Sequence, residues 1–329
     1  MNTLQKKILN IIQRRFPVEV RPFAVLASAL ESSEAEVIEQ INRLKHNGII
    51  RRIGAVFNAS SLGYISTLIG AQVPSEKLEA FVCRVNALPG VSHNYGRNHQ
   101  FNVWFTLTVP EEKIINETLM QLKKDCYLDH IYSLPAEKLF KIKVEFNFED
   151  SDISAPTDQH QGNDINSLQS PSLSLADWQI ALIRCLQEDI PPVSAPFRII
   201  APQTGIPEEK VLRQIELWKT AGLIRRFGAV INHRRAGLTA NAMVVFAVES
   251  AKINHVGNLL AQNCQVSHCY QRTTAPGWPY NLYAMTHSNS EEKLQDVAGK
   301  MVANIKPQQY DILLTTAEYK KSSVKYFPE

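Results

Sequence analysis

The chain contains one unit written twice, and this repeat constrains the fold more than any other feature. The segment GIIRRIGAVFN at residues 48–58 recurs as GLIRRFGAVIN at residues 222–232. Apolar residues upstream of both segments repeat with helical spacing, as Leu4 and Ile8 do in the first copy. Two copies are too few for a solenoid. The repeat therefore predicts a pseudo-twofold pair within one chain that resembles a homodimer.

Each copy changes its pattern at the Arg-Arg pair of this segment. Before the pair, short stretches with helical spacing predict the three helices of a winged helix-turn-helix. After it, the predicted strands and helices follow in the order βαββαβ, the ferredoxin-like arrangement. The fold class is therefore α+β, a tandem duplication in which each half is a winged helix-turn-helix followed by a ferredoxin-like domain.

The repeat also sets the predicted domain boundaries. The winged helices span residues 1–60 and 175–234, and the ferredoxin-like domains span residues 61–148 and 235–329. Residues 149–174 between the copies are rich in Ser, Asp and Gln and have no periodicity, which is typical of a flexible linker. A chain of 329 residues is long enough for each copy to bury its own core.

Composition excludes several classes of protein. Hydrophobic residues make up 44% of the chain and charged residues 20%, as in ordinary globular proteins, and the net charge of +3 is only mildly basic. The five cysteines include no C-x-x-C pair, which argues against a disulfide framework or a zinc site and favours a reducing compartment. No apolar run approaches the roughly 18 residues of a membrane span. We therefore expect a cytoplasmic protein with no membrane partner.

Two polar rows lie within the predicted strands. HNYGR at residues 93–97 and HCYQR at residues 268–272 place His, Tyr and Arg at every second position. Side chains alternate between the faces of a strand, so each row projects from one side of its sheet. The two helices of a βαββαβ unit cover only one face, so the uncovered face needs water or a second sheet against it. The other copy can supply that sheet, with one pocket for each row.

Four longer motifs follow one another through the two copies: RRIGAVFN, HNYGRNHQFNVWF, RRFGAVINHRRAG and HCYQRTTAPGWPYNLYAM. Together with the winged helix and the βαββαβ unit, they make the chain resemble the Lrp/AsnC family of transcription regulators over nearly the whole of each half. The motifs resemble more specifically the siroheme decarboxylase branch of that family, in the fused form used in haem d1 synthesis.

The resemblance implies a carboxy-lyase that removes CO2 from the C12 and C18 acetate side chains of siroheme. The product would be 12,18-didecarboxysiroheme, in haem d1 or alternative haem biosynthesis. The conjugated macrocycle can accept the electrons that CO2 leaves behind, so no added cofactor is expected, and iron enters as part of the substrate. Siroheme is then the main partner. Other tetrapyrrole-pathway enzymes are further candidate partners, and assembly into a larger homo-oligomer stays open.

The candidate site residues come from these motifs. Histidine suits proton transfer because its unperturbed pKa of about 6.5 lies near working pH, and a planar arginine can bind a carboxylate through two hydrogen bonds. Tyrosine can orient the substrate or relay a proton, and the sequence does not rank these groups.

The candidate catalytic residues are His93, Tyr95, His99, His268 and Tyr270. The candidate substrate-binding residues are Arg51, Arg52, Arg97, Asn102, Trp104, Arg225, Arg226, His233, Arg272, Trp278 and Asn281. His287 also adjoins a motif of the second copy, and no residue is assigned to a metal.

The two copies are not chemically equal. His99 lies in the tight connection of the first copy, where the second copy has Trp278 in the longer connection TTAPGWPY. A histidine near a macrocycle can donate a proton or coordinate iron, whereas an indole can only stack or hydrogen-bond. We therefore expect one of the two pockets to carry most of the turnover.

Two other functions fit part of the sequence. A DNA-binding regulator of the Lrp/AsnC type would need basic or hydroxyl side chains on its recognition helix. The candidate helices instead begin SEAEVIEQ and PEEKVLRQ, where Glu34, Glu36, Glu208 and Glu209 repel phosphate, so we expect no specific DNA binding. A tetrapyrrole carrier without chemistry would use the same arginines and aromatic residues. Only turnover separates such a carrier from an enzyme.

Overall fold

The computed structural model describes residues 1–142, 163–164, 174–232 and 240–328. In the first copy the helices are α1 (Thr3–Ile12), α2 (Pro22–Ala29), α3 (Glu34–His46), α4 (Leu78–Ala87) and α5 (Glu112–Cys126). Its strands are β1 (Ile50–Phe57), β2 (Ile65–Ala71), β3 (Val91–Arg97), β4 (Val103–Val109) and β5 (Ile131–Ile142). Most of the expected linker lies outside the described residues. The described part includes β6 (Asn163–Asp164), which pairs with β5.

The second copy repeats this order of elements. Its helices are α6 (Asp177–Leu186), α7 (Pro196–Thr204), α8 (Glu208–Thr220), α9 (Ile253–Gln262) and α10 (Glu291–Ile305). Its strands are β7 (Ile224–Ile231), β8 (Ala240–Ala247), β9 (Val266–Arg272), β10 (Leu282–Ser288) and β11 (Gln309–Lys321). Each half thus has three helices and a strand followed by a βαββαβ unit, which confirms the expected fold class.

The two winged-helix regions share one hydrophobic core. Strands β1 and β7 pair antiparallel, with Gly54 opposite Gly228, and buried residues of helices α1, α3, α6 and α8 pack together on them. A Cβ atom on Gly54 would lie 2.6 Å from the Glu188 carbonyl oxygen, and one on Gly228 would lie 2.4 Å from the Ile12 carbonyl oxygen. The repeated glycine is therefore required by the close approach of a helix end from the other copy.

The remaining long strands form a closed ring. Their order is β2, β4, β3, β11, β8, β10, β9 and β5, and β5 pairs again with β2. The last strand of each copy joins the two halves. Strand β5 pairs with β2 through residues 131–135 and with β9 through residues 136–142. In the same way, β11 pairs with β8 through residues 309–314 and with β3 through residues 315–321.

Helices cover the outer faces of this ring, and side chains of both halves fill part of its interior. Helices α4 and α5 pack on the first half, and α9 and α10 pack on the second. An inner cluster combines Phe101 and Trp104 of the first half with Trp278 and Tyr283 of the second. The second copy therefore covers the face for which the sequence predicted a partner. No helix in the described part of the chain is both long enough and apolar enough to cross a bilayer.

Candidate active site

A β-bulge near the start of β3 and of β9 turns the polar rows toward the interior of the ring. Val91 belongs to the helix-side core, yet His93, two residues later, lies on the opposite face with the ring of Tyr95. The register of β3 against β4 shifts between Val91 and His93 and leaves Ser92 as the extra residue. Ser267 is the extra residue of β9 in the same way. A bulge re-aims side chains, and here it brings each serine beside the histidine that follows it.

Each row is completed by the last strand of the other half. The first row, His93, Tyr95 and Arg97, lies in register with Lys321, Glu318 and Thr315 of β11. The second row, His268, Tyr270 and Arg272, lies in register with Ile142, Leu139 and Ala136 of β5. A half that was separated from its partner would therefore lack one wall of its row.

His93 lies half-buried beside two hydroxyl groups and two cations. Its Nδ1 atom is 2.9 Å from Ser92 Oγ, which is also 2.9 Å from Thr106 Oγ1. Burial, and then the positive charges of Lys321 and Arg51, lower the pKa of His93 to about 4. The imidazole is therefore neutral at neutral pH.

His268 has a similar serine but a different second partner. Ser267 Oγ lies 2.9 Å from His268 Nδ1 and 3.0 Å from His287 Nε2. Burial, followed by the charges of His287 and Arg225, lowers the pKa of His268 to about 3. Burial also lowers the pKa of His287 to about 4. In the second half, two neutral histidines are therefore within hydrogen-bond distance of the same serine. In the first half, the corresponding serine has one histidine and one threonine as partners.

The two rows influence each other across the interior. The charge of His93 is among the causes that lower the pKa of His268, and the charges of Lys321 and Arg97 act on His287. These histidines keep part of their accessible surface although protein surrounds them, as side chains that line a recess do. The two rows, which were expected to line separate pockets, therefore lie near each other in the interior of the ring, and the space that they face is called the recess below.

The first arginine of each Arg-Arg pair is directed at a row. Arg51 Nη1 donates to the Lys321 carbonyl oxygen at 2.9 Å, and Arg51 Nη2 lies 3.7 Å from a carboxylate oxygen of Glu318. Arg225 is exposed, and its charge acts on His268. Among the residues that the structure describes, Arg225 has no hydrogen-bond or ion-pair partner. The second row therefore has the arginine that is more available to an incoming anion.

The second arginine of each pair points away from the rows. The Arg52 guanidinium donates to the Ala55 carbonyl oxygen at 3.0 Å, and the Arg226 guanidinium donates to the Ala229 carbonyl oxygen at 2.9 Å. Arg226 also donates to the carbonyl oxygen of Gln13 in the other copy. The register of β1 against β7 shifts at Arg51 and at Arg225, so the first arginine of each pair is the extra residue of a β-bulge and is directed differently from the second. Arg226 thereby joins the winged helices of the two copies, and Arg52, whose Nε also donates to Ser323 Oγ at 3.0 Å, holds the segment after β11, in place of the expected contacts with substrate.

Arg97 and Arg272 end the rows and connect the two halves. Arg97 Nη1 donates to the Leu313 carbonyl oxygen at 3.1 Å, and burial lowers the pKa of Arg97 to about 10. Arg272 Nη1 donates to the Leu134 carbonyl oxygen at 2.9 Å, and its guanidinium lies 4.8 Å from the centre of the Tyr270 ring. Both arginines therefore add positive charge to the recess while part of each guanidinium is held by the backbone of the other half.

Tyr95 and Tyr270 lie between the histidine and the arginine of their rows. The ring centres of Tyr95 and His93 are 6.2 Å apart, and those of Tyr270 and His268 are 6.4 Å apart. Burial raises the pKa of Tyr270, so its phenol stays protonated at neutral pH. The structure thus brings together the His-Tyr-Arg row in both halves.

Asn102 and Asn281 have a structural role in place of the expected contact with substrate. Asn102 Oδ1 accepts a hydrogen bond from the Val73 N–H at 2.9 Å, and its Nδ2 donates to the Val73 carbonyl oxygen at 2.9 Å. Asn281 makes the same pair of hydrogen bonds with Val248, at 3.0 and 2.8 Å. The oxygen and the nitrogen of each side-chain amide are therefore already engaged by the end of a neighbouring strand.

Trp104 and Trp278 belong to the core between the halves. Trp104 is 2% exposed and Trp278 is 1% exposed, and their ring centres are 4.9 Å apart. Trp104 Nε1 donates to the Phe101 carbonyl oxygen at 2.6 Å, and Trp278 Nε1 donates to the Tyr283 hydroxyl at 2.6 Å. Indoles enclosed in this way have no free face for a macrocycle, so they support the walls of the recess instead of stacking on substrate.

His99 lies partly buried beside the inner cluster, in the connection that follows β3 and away from His93. Its Nδ1 accepts a hydrogen bond from the Phe101 N–H at 3.0 Å, so Nε2 carries the proton and faces Asp311 at 3.3 Å. The ring meets Trp278 edge-on, with centres 5.3 Å apart. Burial lowers the pKa of His99, and Asp311 partly opposes this. Both ring nitrogens are engaged, so His99 links the first half to the second.

Comparison with known proteins places this geometry in a family. A family model described as AsnC-like ligand binding domain matches residues 61–141 and 235–320. A second, described as siroheme decarboxylase NirDL-like HTH domain, matches residues 5–51 and 179–225. A siroheme decarboxylase of Hydrogenobacter thermophilus is 37% identical over 325 residues, which cover 98% of this chain and 95% of the relative. The chain belongs to the siroheme decarboxylase family.

Two solved structures match nearly the whole of this siroheme decarboxylase family member. The crystal structure of the siroheme decarboxylase NirDL matches with a TM-score of 0.76 at 33% identity and covers 99% of this chain and 95% of that one. The structure of NirDL in co-complex with an iron-uroporphyrin III analogue has a TM-score of 0.75 at 32% identity, with the same coverage. The expected family is confirmed, and with it the expected enzyme class, carboxy-lyase.

Sequence patterns missed part of the recess. The tripeptide VSH stands at the start of both rows and is a signal for Ser92 and Ser267, but strict alternation puts each serine on the face opposite its histidine. Lys321 and Glu318 come from the last strand of the other half, and nothing in the sequence of the first row indicates that this strand lies beside it.

His233 lies outside the described residues. Within the described ranges, no group of three or more His, Cys, Asp or Glu side chains could hold a metal ion.

Proposed function

We propose that the protein removes CO2 from the C12 and C18 acetate side chains of siroheme to give 12,18-didecarboxysiroheme, in haem d1 or alternative haem biosynthesis. The observation that carries this proposal is the recess between the halves, where neutral histidines lie among cationic side chains. The relative whose structure contains an iron-uroporphyrin III analogue supports a tetrapyrrole as the ligand.

The charges of the recess suit a polycarboxylate such as siroheme. Arg51, Arg97 and Lys321 act on the histidines from one side, and Arg225 and Arg272 act from the other. A guanidinium binds a carboxylate through strong, charge-assisted hydrogen bonds. Arg51 already lies near Glu318, whereas Arg225 is exposed and, within the described ranges, without such a partner. We therefore infer that Arg225 binds a substrate carboxylate and that the second row carries most of the turnover.

The reaction requires three contributions from the protein. The leaving carboxylate must lie in an apolar position, the other carboxylates must be held, and a proton must reach the carbon that loses CO2. The electron pair of the broken C–C bond is delocalised into the macrocycle and then forms the new C–H bond when a histidine donates its proton. The step needs no net oxidation or reduction. We therefore expect no added cofactor, with iron entering as part of the substrate.

Anaerobic incubation of the purified protein with siroheme tests the proposal. The mass of the tetrapyrrole should fall by two carbon dioxide units without any added organic cofactor. A siroheme mass that stays unchanged, although the folded protein binds siroheme, would contradict the proposal and favour a tetrapyrrole carrier.

DNA binding is the alternative function, and the helix surface argues against it. Glu36 and Glu39 are exposed on α3, and Glu39 hydrogen-bonds to Arg43, which leaves less positive charge for phosphate. Glu209 is exposed at the start of α8. Gel-shift experiments at physiological salt should therefore show only weak, nonspecific binding. Nanomolar, sequence-selective binding would favour a regulator.

The five cysteines are free thiols, which fits a reducing compartment, and we infer that the protein acts in the cytoplasm. Other enzymes of the tetrapyrrole pathway remain candidate partners that would supply siroheme or accept its product.

A further inference from the structure

Ser267, the extra residue of the β9 bulge, bridges two histidines. Its hydroxyl oxygen lies 2.9 Å from His268 Nδ1 and 3.0 Å from His287 Nε2. The Met285 carbonyl oxygen, at 3.3 Å, is a more distant acceptor. A hydroxyl group can donate one hydrogen bond while it accepts another. These side chains therefore form a continuous His-Ser-His chain of hydrogen bonds from β10 to β9.

The corresponding bridge of the first half ends in a group that carries no charge. Ser92 joins His93 to the hydroxyl of Thr106. A threonine hydroxyl is not ionisable near neutral pH, so it is not a source of a proton for the serine. Of the two serine bridges, the one at Ser267 has an ionisable group at both ends.

We propose that Ser267 and His287 form a relay that resupplies His268 with the proton consumed in decarboxylation. This inference rests on the proposed function. His268 donates its Nε2 proton to the carbon that has lost CO2, and its Nδ1 takes the hydroxyl proton of Ser267. Ser267 Oγ takes the Nε2 proton of His287, which begins protonated on both nitrogens and ends neutral. Exchange with water after product release restores the starting protonation.

We expect the relay to carry a proton only when substrate is bound. The groups that act on His268 are His93, His287, Arg225 and Arg272, and those that act on His287 are Arg97 and Lys321. Burial first, and then the positive charges of the nearby arginines and Lys321, keep both imidazoles neutral in the free protein. Negative charges favour the imidazolium form, so the carboxylates of bound siroheme oppose the cations and let His287 gain its proton.

Single-turnover decarboxylation of siroheme by the full-length chain tests the relay. Ser267→Ala and His287→Gln each remove one link, and we expect each to slow the reaction by at least about 10-fold while siroheme binding, followed by absorbance, is retained. Ser267→Thr keeps the hydroxyl and should keep most of the rate. The matched control is Ser92→Ala, which removes the corresponding hydroxyl of the first row and should have a much smaller effect.

Chemical rescue separates the relay from a structural role. Imidazole added to the His287→Ala variant should restore the rate, and substituted imidazoles should do so in the order of their pKa. A wild-type rate in Ser267→Ala, an equal loss in Ser92→Ala, or no rescue of His287→Ala would overturn the relay. Each of these results leaves decarboxylation by the wild-type chain intact. If the wild-type chain itself does not decarboxylate siroheme, the proposed function fails, and the relay fails with it.

Discussion

Ser92 and Ser267 occupy the extra positions of two β-bulges, and each lies beside the histidine that follows it. Without a bulge, residues two apart on a strand share a face. The bulge lets Val266 join the helix-side core while His268 turns into the recess with a serine beside it. The inserted serine lies beside the histidine and hydrogen-bonds to its Nδ1 atom. We propose that the Nε2 atom of the histidine faces the substrate.

His99→Ala and His268→Ala should have clearly unequal effects. His268 lines the recess, and loss of a general acid should slow single-turnover decarboxylation by about 10²–10⁴-fold. His99 is bound to the Phe101 N–H and to Asp311 beside the inner cluster, so its loss should lower the free energy of unfolding by roughly 1 kcal/mol and change the rate little. Rates measured with siroheme bound, together with urea unfolding, check both effects. Equal rate losses in the two variants would contradict the assignment.

Acid should destabilise the fold through the recess histidines. The pKa values of His93, His268 and His287 are about 4, 3 and 4, below the value of about 6.5 in an unfolded chain. The folded state binds fewer protons, so the histidines cost no stability above about pH 6.5, and stability falls as the pH is lowered toward 4. Urea unfolding at about pH 7.5 and pH 5 measures this loss. It should shrink when all three histidines are replaced by Gln, and a loss of unchanged size would assign it to other groups.

At the scale of helices and strands, the sequence predicted the order of the elements but not how the strands pair. Helical spacing and the internal repeat are local signals, and they were sufficient for the winged helices and the βαββαβ units. The exchange of β5 and β11 between the halves leaves no trace in periodicity, because alternation does not identify a neighbouring strand. The histidine rows were predictable since all their members lie within one strand.

Some predicted substrate-binding residues have other roles in the structure, because their contacts lie on segments that the local sequence pattern does not identify. Trp104 was expected to bind substrate, and it does lie opposite the helix-side core, but whether that face meets substrate or another indole depends on the second half. Asn102 looks like a ligand-binding residue in the sequence, and its partner, Val73, lies on a segment that follows a different strand. For Arg51 and Arg52, simple alternation is no guide either, because Arg51 is the extra residue of a β-bulge in β1.

Gly54→Ala should destabilise the paired winged helices, whereas Gly299→Ala should not. A Cβ on Gly54 would lie 2.6 Å from the Glu188 carbonyl oxygen and 2.7 Å from the Leu186 carbonyl oxygen, and relieving such contacts costs about 1–3 kcal/mol or more. Gly299, on helix α10, has nothing within 4 Å of the added Cβ, so alanine should stabilise by up to about 1 kcal/mol. Urea unfolding of both variants checks this. A Gly54→Ala protein as stable as wild type would contradict the close helix approach.

At the scale of the whole molecule, duplication within one chain allows the two halves to differ while they share a recess. A homodimer would place the same residue at both related positions. Here Ser267 contacts His287 where Ser92 contacts Thr106, and Arg225 is exposed where Arg51 contacts the backbone of β11. The first half still supplies β5 as a wall of the second row. One half can therefore specialise in chemistry while the other supports it.

Cutting the chain between residues 150 and 160 should leave the two fragments associated and active. Residues 136–142 of the first half pair with β9, and residues 315–321 of the second half pair with β3, so each fragment completes the sheet of the other. The inner cluster and the shared winged-helix core add buried apolar surface across the same junction.

After cleavage at an engineered protease site, the fragments should elute together at the size of the intact 37.1 kDa chain and retain siroheme decarboxylation. Either fragment expressed alone should be inactive, because its row lacks the strand of the other half. Fragments that separate at micromolar concentration, or one fragment that is active by itself, would contradict the shared-strand architecture.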